Sequence, residues 1–324
     1  MRNKSILYVS SLKSKKIFVW KLNTNGKLNL LQILNIRYNI YDITINNKNN
    51  FLYVTTRPEP KLVILKIKNN FCLSFVKIFN LKDISTYIKY YNNKIYSVSY
   101  RFNSLSVYNI YDNKIEMSEY LNNLPGCHSI KILKNSLIIP CLKSDNIFFF
   151  KINKKNKLDT KKLNFVSLPK KSGPRNIAIH PNKSYIYSIN ELKGTVTLIK
   201  MDKKKIKILD NYNIYFKKKL KDCWSSDIKI SKDGKNLYCS DRLSSTIHIF
   251  NILKKGKLKL IKIFKTEKTP KNFVIDKTNK FIIVIGQKSN FISVYKKRNN
   301  NIFLKSRNFT GIEPVWIKII NKKF

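Results

Sequence analysis

Four short stretches of this chain hold the side chains best suited to chemistry: His128 within PGCHS, Arg175 within SGPRN, Glu191 within NEL and Arg242 within CSDR. An imidazole and a carboxylate can take up and return protons near neutral pH, and guanidinium groups hold or stabilise negative charge. Gathered around one concave opening, these groups would suit a small anion. A metal centre is not expected. No two of the three histidines share a ligand spacing, and Asp and Glu together number only 18. A glycine-rich phosphate loop and a G-x-S-x-G nucleophile elbow are both missing, so covalent catalysis has no obvious candidate.

The elements that must position these residues repeat. A phrase of strand, polar turn and second strand occurs seven times: ILYVSSLKSKKIFVWKLN from Ile6, then copies from Phe51, Lys94, Ser136, Tyr185, Asn236 and Phe281. Corresponding residues lie 42 to 51 positions apart. Apolar, β-rich repeats of that period point to propeller blades, and seven of them suit a closed ring. Most phrases follow another short strand, such as Asn176–Ile179 with its turn HPNKS, or Asp227–Ile230 with SKDGK. The first phrase has no such strand before it, and the strand Pro314–Ile320 has no phrase after it. The fold expected is therefore all-β, a seven-bladed β-propeller over residues 1–324 as a single domain. In it Trp316–Ile320 pairs with Ile6–Ser10 and closes the ring within one blade.

In a repeat protein, structural positions agree between copies and functional residues show as deviations. The seventh phrase position holds Leu12, Arg57, Tyr100, Leu142, Glu191, Arg242 and Gln287. Leu or Tyr is the bland state there, whereas Arg, Glu and Gln are not what a hairpin needs. The start of the preceding strand holds Tyr41, Thr86, His128, Arg175, Ser226, Lys271 and Val315. Antiparallel pairing sets the start of one strand beside the end of the next, so the two series should crowd one mouth of the central channel. Plainer readings stand beside this one. Glu191 and Arg175 could form only a structural ion pair, and Arg57, followed by Pro58, could only brace a turn. His180 and His248 read as structural.

Composition adds bounds. The formal charge of +47 invites a nucleic-acid reading, but lysines occur in every repeat rather than on one face. Heavy use of Lys, Asn and Ile with only 8 Gly resembles the product of an AT-rich genome, and no specific nucleic-acid partner is expected. The five cysteines are widely spaced without a C-x-x-C, as in a reducing compartment. No apolar stretch is long enough to span a membrane or to serve as a signal-peptide core, so a cytoplasmic monomer is expected.

KIFVWKLNTNGKL, TTRPE, LPGCHS, SGPRNIAIHPN, NEL, CSDR, GQKSNFISVY and EPVW, in this order and at blade spacing, resemble the propeller type of bacterial 6-phosphogluconolactonase, the cycloisomerase 2 family. The resemblance spans nearly the whole chain. It implies that His128, Arg175, Glu191 and Arg242 are the essential residues, and Asp145 and Gln287 also match the family pattern. The sequence departs from that pattern at Pro270-Lys271-Asn272, where Pro-Arg-Gly is usual, and at Asn176, where His is usual. The implied reaction is hydrolysis of 6-phospho-D-glucono-1,5-lactone, with neither metal nor organic cofactor. Glu191 would be the base and His128 the leaving-group acid, roles that could be exchanged. An Arg would face the oxyanion, and Arg57, Lys271, Gln287 and Asp145 would contact substrate. Two alternatives remain: a non-catalytic propeller that docks protein or nucleic acid, and a related cycloisomerase acting on another lactone.

Overall fold

A computed structural model describes residues 4–48, 50–111, 114–202, 205–215, 222–298 and 301–322. Its strands form seven four-stranded antiparallel sheets, numbered here 1 to 7 along the chain. Sheets 2 to 7 each take four consecutive strands, whereas sheet 1 is assembled from both ends of the sequence. In sheet 1 the strand Pro314–Lys322 pairs with Lys4–Ser11, matching Ile6 to Ile320 and Ser10 to Trp316. That pairing is the one expected from the orphan strand at each end.

Each sheet shows the same gradient of burial. In sheet 1 the strand Lys16–Leu22 is almost wholly buried, while the last strand, Leu28–Asn35, alternates between exposed and half-buried. Apolar residues on both faces of the middle strands follow from sheet packing on sheet. Phe18, Trp20 and Val9 of sheet 1 interlock with Phe281, Ile283 and Val294 of sheet 7. Tyr187, Val196 and Leu198 of sheet 5 do the same with Leu237, Cys239 and Phe250 of sheet 6. Each such side chain contributes roughly 1.5–3 kcal/mol on burial.

The strands fall into two compact units, one holding sheets 1, 2 and 7, the other sheets 3, 4, 5 and most of 6. Within both, the first strand of a sheet is often broken by a β-bulge near its start. Arg175 is the extra residue between Pro174 and Asn176, and Lys271 is the extra residue between Pro270 and Asn272. Tyr41 and Asp42 share a wider irregularity in sheet 2, as Ser226 and Asp227 do in sheet 6. In those two, the aspartate's own Oδ1 accepts the next backbone N–H, from Ile43 at 2.7 Å and from Ile228 at 2.9 Å. A bulge bends the strand and re-aims one side chain. These bulges carry the variable strand-start positions of the sequence.

Candidate functional site

Arg175, Glu191, Arg242 and His128 all belong to the unit of sheets 3 to 6. Arg175 follows a tight approach. Gly173 adopts φ +66°, and a Cβ there would lie 2.7 Å from Leu192, so the glycine of the GPR motif is required by space and by backbone conformation. Asp145 holds this turn from sheet 4, its two carboxylate oxygens accepting the backbone N–H groups of Lys171 at 2.7 Å and Gly173 at 2.8 Å. The sequence placed Asp145 among substrate contacts. In the structure both of its oxygens serve backbone amides, and it supports the turn that delivers Arg175.

Arg175 is only 2% exposed. Its NH1 donates to the carbonyl of Ser226 at 2.5 Å and to the Ser226 hydroxyl at 2.8 Å. Its Nε lies 2.6 Å from Glu191 Oε2 as an ion pair, with the N–H off the line to the oxygen. Arg242 NH2 donates to the same oxygen at 2.7 Å. The Arg242 guanidinium lies 3.8 Å from the Trp224 ring centroid, and its Nε donates to the Trp224 carbonyl at 3.3 Å. Two arginines from adjacent sheets thus converge on Oε2 of one carboxylate. The ion pair between Glu191 and Arg175 exists, as the plainer reading supposed, but it is half of a three-residue cluster.

His128 lies ahead of the first strand of sheet 4, Lys131–Leu133, rather than at its start as the sequence series supposed, and its backbone N–H donates to the Pro140 carbonyl at 3.0 Å. Its ring meets Tyr100 edge-on, 6.1 Å between centroids, and Lys143 Nζ lies 4.7 Å from the same Tyr100 ring. Burial pushes the Tyr100 phenol above its usual pKa, and the negative charge of Glu191 raises it further. Tyr100 therefore lies within the field of the carboxylate and in contact with the imidazole. Sequence reasoning passed over it as the bland occupant of its position, and missed Ser226 and Trp224. The available signal was the shared position: Ser226 is the strand-start counterpart of Arg175, and Tyr100 the strand-end counterpart of Glu191.

The other expected contacts lie in the unit of sheets 1, 2 and 7. The Arg57 guanidinium carbon stands 3.5 Å from the Tyr41 ring centroid. Lys271 Nζ is 4.3 Å from that centroid and donates to the Tyr41 hydroxyl at 2.8 Å. Arg57 and Lys271 are thus brought together on Tyr41, which the strand-start series contained but to which it gave no role. Gln287 is half-buried at the end of its strand, its backbone N–H donating to the Thr269 carbonyl at 3.0 Å.

The remaining histidines serve the scaffold. His180 Nε2 lies 3.1 Å from the Gly234 carbonyl, linking sheets 5 and 6. His248 is fully buried, donates from Nδ1 to the Ile214 carbonyl at 2.5 Å and packs edge-on against Tyr215. Among the described residues, no group of three or more His, Cys, Asp or Glu could hold a metal ion. No helix among them is long and apolar enough to cross a membrane.

Residues 6–319 match the family described as lactonase, 7-bladed beta-propeller. The chain belongs to that family. This lactonase propeller is 36% identical to the 6-phosphogluconolactonase of Blochmanniella floridana, over 98% of each chain. It is 31% identical to the 6-phosphogluconolactonase of Yersinia enterocolitica, again over 98% of each. In fold it is similar to a Lactobacillus plantarum protein, with TM-score 0.89, 19% identity and 98% and 100% of the two chains covered. It is also similar to the periplasmic gluconolactonase of Pseudomonas aeruginosa, with TM-score 0.87, 16% identity and 98% and 99% covered.

Proposed function

We propose that this protein hydrolyses 6-phospho-D-glucono-1,5-lactone to 6-phosphogluconate, the lactone-opening step of the oxidative pentose phosphate pathway. The observation that carries the reading is the convergence of Arg175 and Arg242 on Glu191 Oε2. A platform for docking partners has no use for a carboxylate held so firmly in one orientation. A hydrolase needs its base fixed, because misplacement by an ångström costs rate.

A lactone carbonyl is already electrophilic, so the chemistry demanded is modest. Water attacks C1 while Glu191 Oε1 takes its proton. The carbonyl oxygen becomes an oxyanion, which the Arg242 guanidinium stabilises, a contribution of roughly 10²–10³ in rate for one such donor. Collapse of the tetrahedral intermediate breaks the bond between C1 and the ring oxygen, and His128 protonates that oxygen as it leaves. General acid–base help of this kind typically supplies about 10²–10⁴-fold. Arg175, enclosed between Ser226 and Glu191, acts by aiming the carboxylate. The proposal includes a single-domain monomer working in the cytoplasm on a small phosphorylated lactone.

The test is a panel assay. Freshly generated 6-phosphogluconolactone and a muconate lactone are each followed with spontaneous opening subtracted. Preferential opening of the phosphorylated lactone supports the proposal. Preference for the muconate lactone would move the protein to cycloisomerase chemistry, and inertness towards both would leave the docking platform.

A further inference from the structure

Trp224 meets Arg242 with both its backbone and its ring. Its carbonyl accepts the Arg242 backbone N–H at 3.0 Å and the side-chain Nε–H at 3.3 Å. The guanidinium carbon lies 3.8 Å from the centroid of its indole. The backbone of Trp224 is itself held in place. Its N–H donates to Asp241 Oδ2 at 3.0 Å, and the next N–H, of Ser225, donates to the Glu191 carbonyl at 3.3 Å. Trp224 thus stands between the strand end that carries Glu191 and the one that carries Arg242, all within one unit. An arginine side chain has several soft torsions, so a hydrogen bond from NH2 to Glu191 Oε2 by itself would let the guanidinium swing about that bond. A second bond at Nε and an aromatic ring against the planar group together define its plane. That matters for an oxyanion donor, which acts by being aimed before the charge develops. Trp20 and Trp316 are 5% and 3% exposed and belong to the core, whereas Trp224 is 39% exposed.

We propose that Trp224 is the positioning residue of Arg242. Its indole fixes the plane of the guanidinium, so that NH2 stays on Glu191 and the donor directions are set before substrate arrives. The role in turnover rests on the lactone-hydrolase reading above; the hold on Arg242 does not. The backbone bonds of Trp224 to Arg242 and Asp241 persist when its side chain is changed to Phe or Leu, so these substitutions isolate the ring. Tryptophan offers a cation the best aromatic face, phenylalanine a weaker one and leucine none.

Trp224→Leu and Trp224→Phe are compared with the wild type on 6-phosphogluconolactone. A donor that is present but poorly aimed forfeits part of the roughly 10²–10³-fold that such a group supplies, so Trp224→Leu should lower kcat about 10-fold. KM should stay within about 2-fold, the mark of an interaction made in the transition state rather than in binding. Trp224→Phe should recover most of the loss. An unchanged kcat, a rise in KM alone, or a Phe variant as impaired as the Leu variant would each overturn the proposal. Urea unfolding should find both variants folded, because the residue is 39% exposed; a Leu variant that cannot fold would make Trp224 a core residue and also overturn it. If the wild type does not open the lactone, the hydrolase reading fails by itself. The hold on Arg242 is then decided by a double-mutant cycle of Trp224→Leu with Arg242→Ala in urea. Coupling of about 2- to 5-fold in the unfolding constant, the strength of a partly exposed cation–π contact, sustains it, and additive effects refute it.

Discussion

Glu191→Gln tests two consequences of the arginine cluster at once. The substitution keeps the shape of the side chain and removes both the base and the negative charge. From its place at the end of a strand, position 191 reads as an exposed polar site where such a change would leave stability almost untouched. The structure implies otherwise, because the carboxylate is the ion-pair partner of Arg175, 2% exposed, and of Arg242, 7% exposed. Removing one partner from a buried pair costs about 3–5 kcal/mol. The glutamine carbonyl still accepts a hydrogen bond, and the Glu191 side chain retains 14% exposure, so a loss of about 2–3 kcal/mol is expected. Turnover should fall at least ~10²-fold, the lower end for a lost general base. Urea unfolding followed by tryptophan fluorescence measures the first quantity, and lactone opening with spontaneous hydrolysis subtracted measures the second. Full activity with lowered stability would make Glu191 a structural partner of the arginines and pass the base role to His128. Unchanged stability would refute the cluster as an energetic unit.

Asp145→Ala should lower stability by about 2 kcal/mol, because two backbone N–H groups lose a charged acceptor, and should reduce turnover by loosening the turn before Arg175; wild-type values for both would refute its supporting role. Burial lowers the His248 pKa from 6.5 to about 4, against a weaker upward pull from its bond to the Ile214 carbonyl. The unfolded chain therefore takes up a proton below about pH 6.5 that the folded chain refuses until about pH 4, so stability falls with pH across that window by about 3 kcal/mol from this group. His248→Asn should flatten that part of a stability–pH profile, and an unaltered profile would rule the histidine out as the cause. With a net charge of +47, the folded chain repels itself, and raising salt from about 0.01 M to about 0.15 M shortens the screening length from about 30 Å to about 8 Å. The thermal midpoint should rise over that range; a fall would mean that favourable ion pairs outweigh the repulsion.

The seven repeats and the two-ended first sheet were legible because sheet faces impose a period of two and blades a period in the forties, and both survive in the order of apolar residues. The strand-start and strand-end series also showed, since comparing copies exposes His128, Arg175, Glu191 and Arg242 as deviations. The bulges did not. One extra residue in a strand leaves no mark in composition, yet it is what turns Arg175 and Lys271 out of register. The service of Asp145 to two backbone amides was hidden for a similar reason, because a carboxylate in a loop looks the same whether it faces a ligand or an N–H group. Tyr41 and Tyr100 passed as apolar strand residues, and their cation and imidazole contacts appear only when separate sheets are brought together.

The central claim is that this fold opens a phosphorylated δ-lactone by means of the cluster on Glu191. Its most direct test is the rate at which purified protein consumes 6-phosphogluconolactone, followed by NMR of the lactone itself rather than by a coupled enzyme. The account predicts enzyme-dependent loss of lactone with kcat/KM of at least ~10⁴ M⁻¹s⁻¹, within the ordinary range for enzymes. A decay that matches the protein-free control at every enzyme concentration would contradict it.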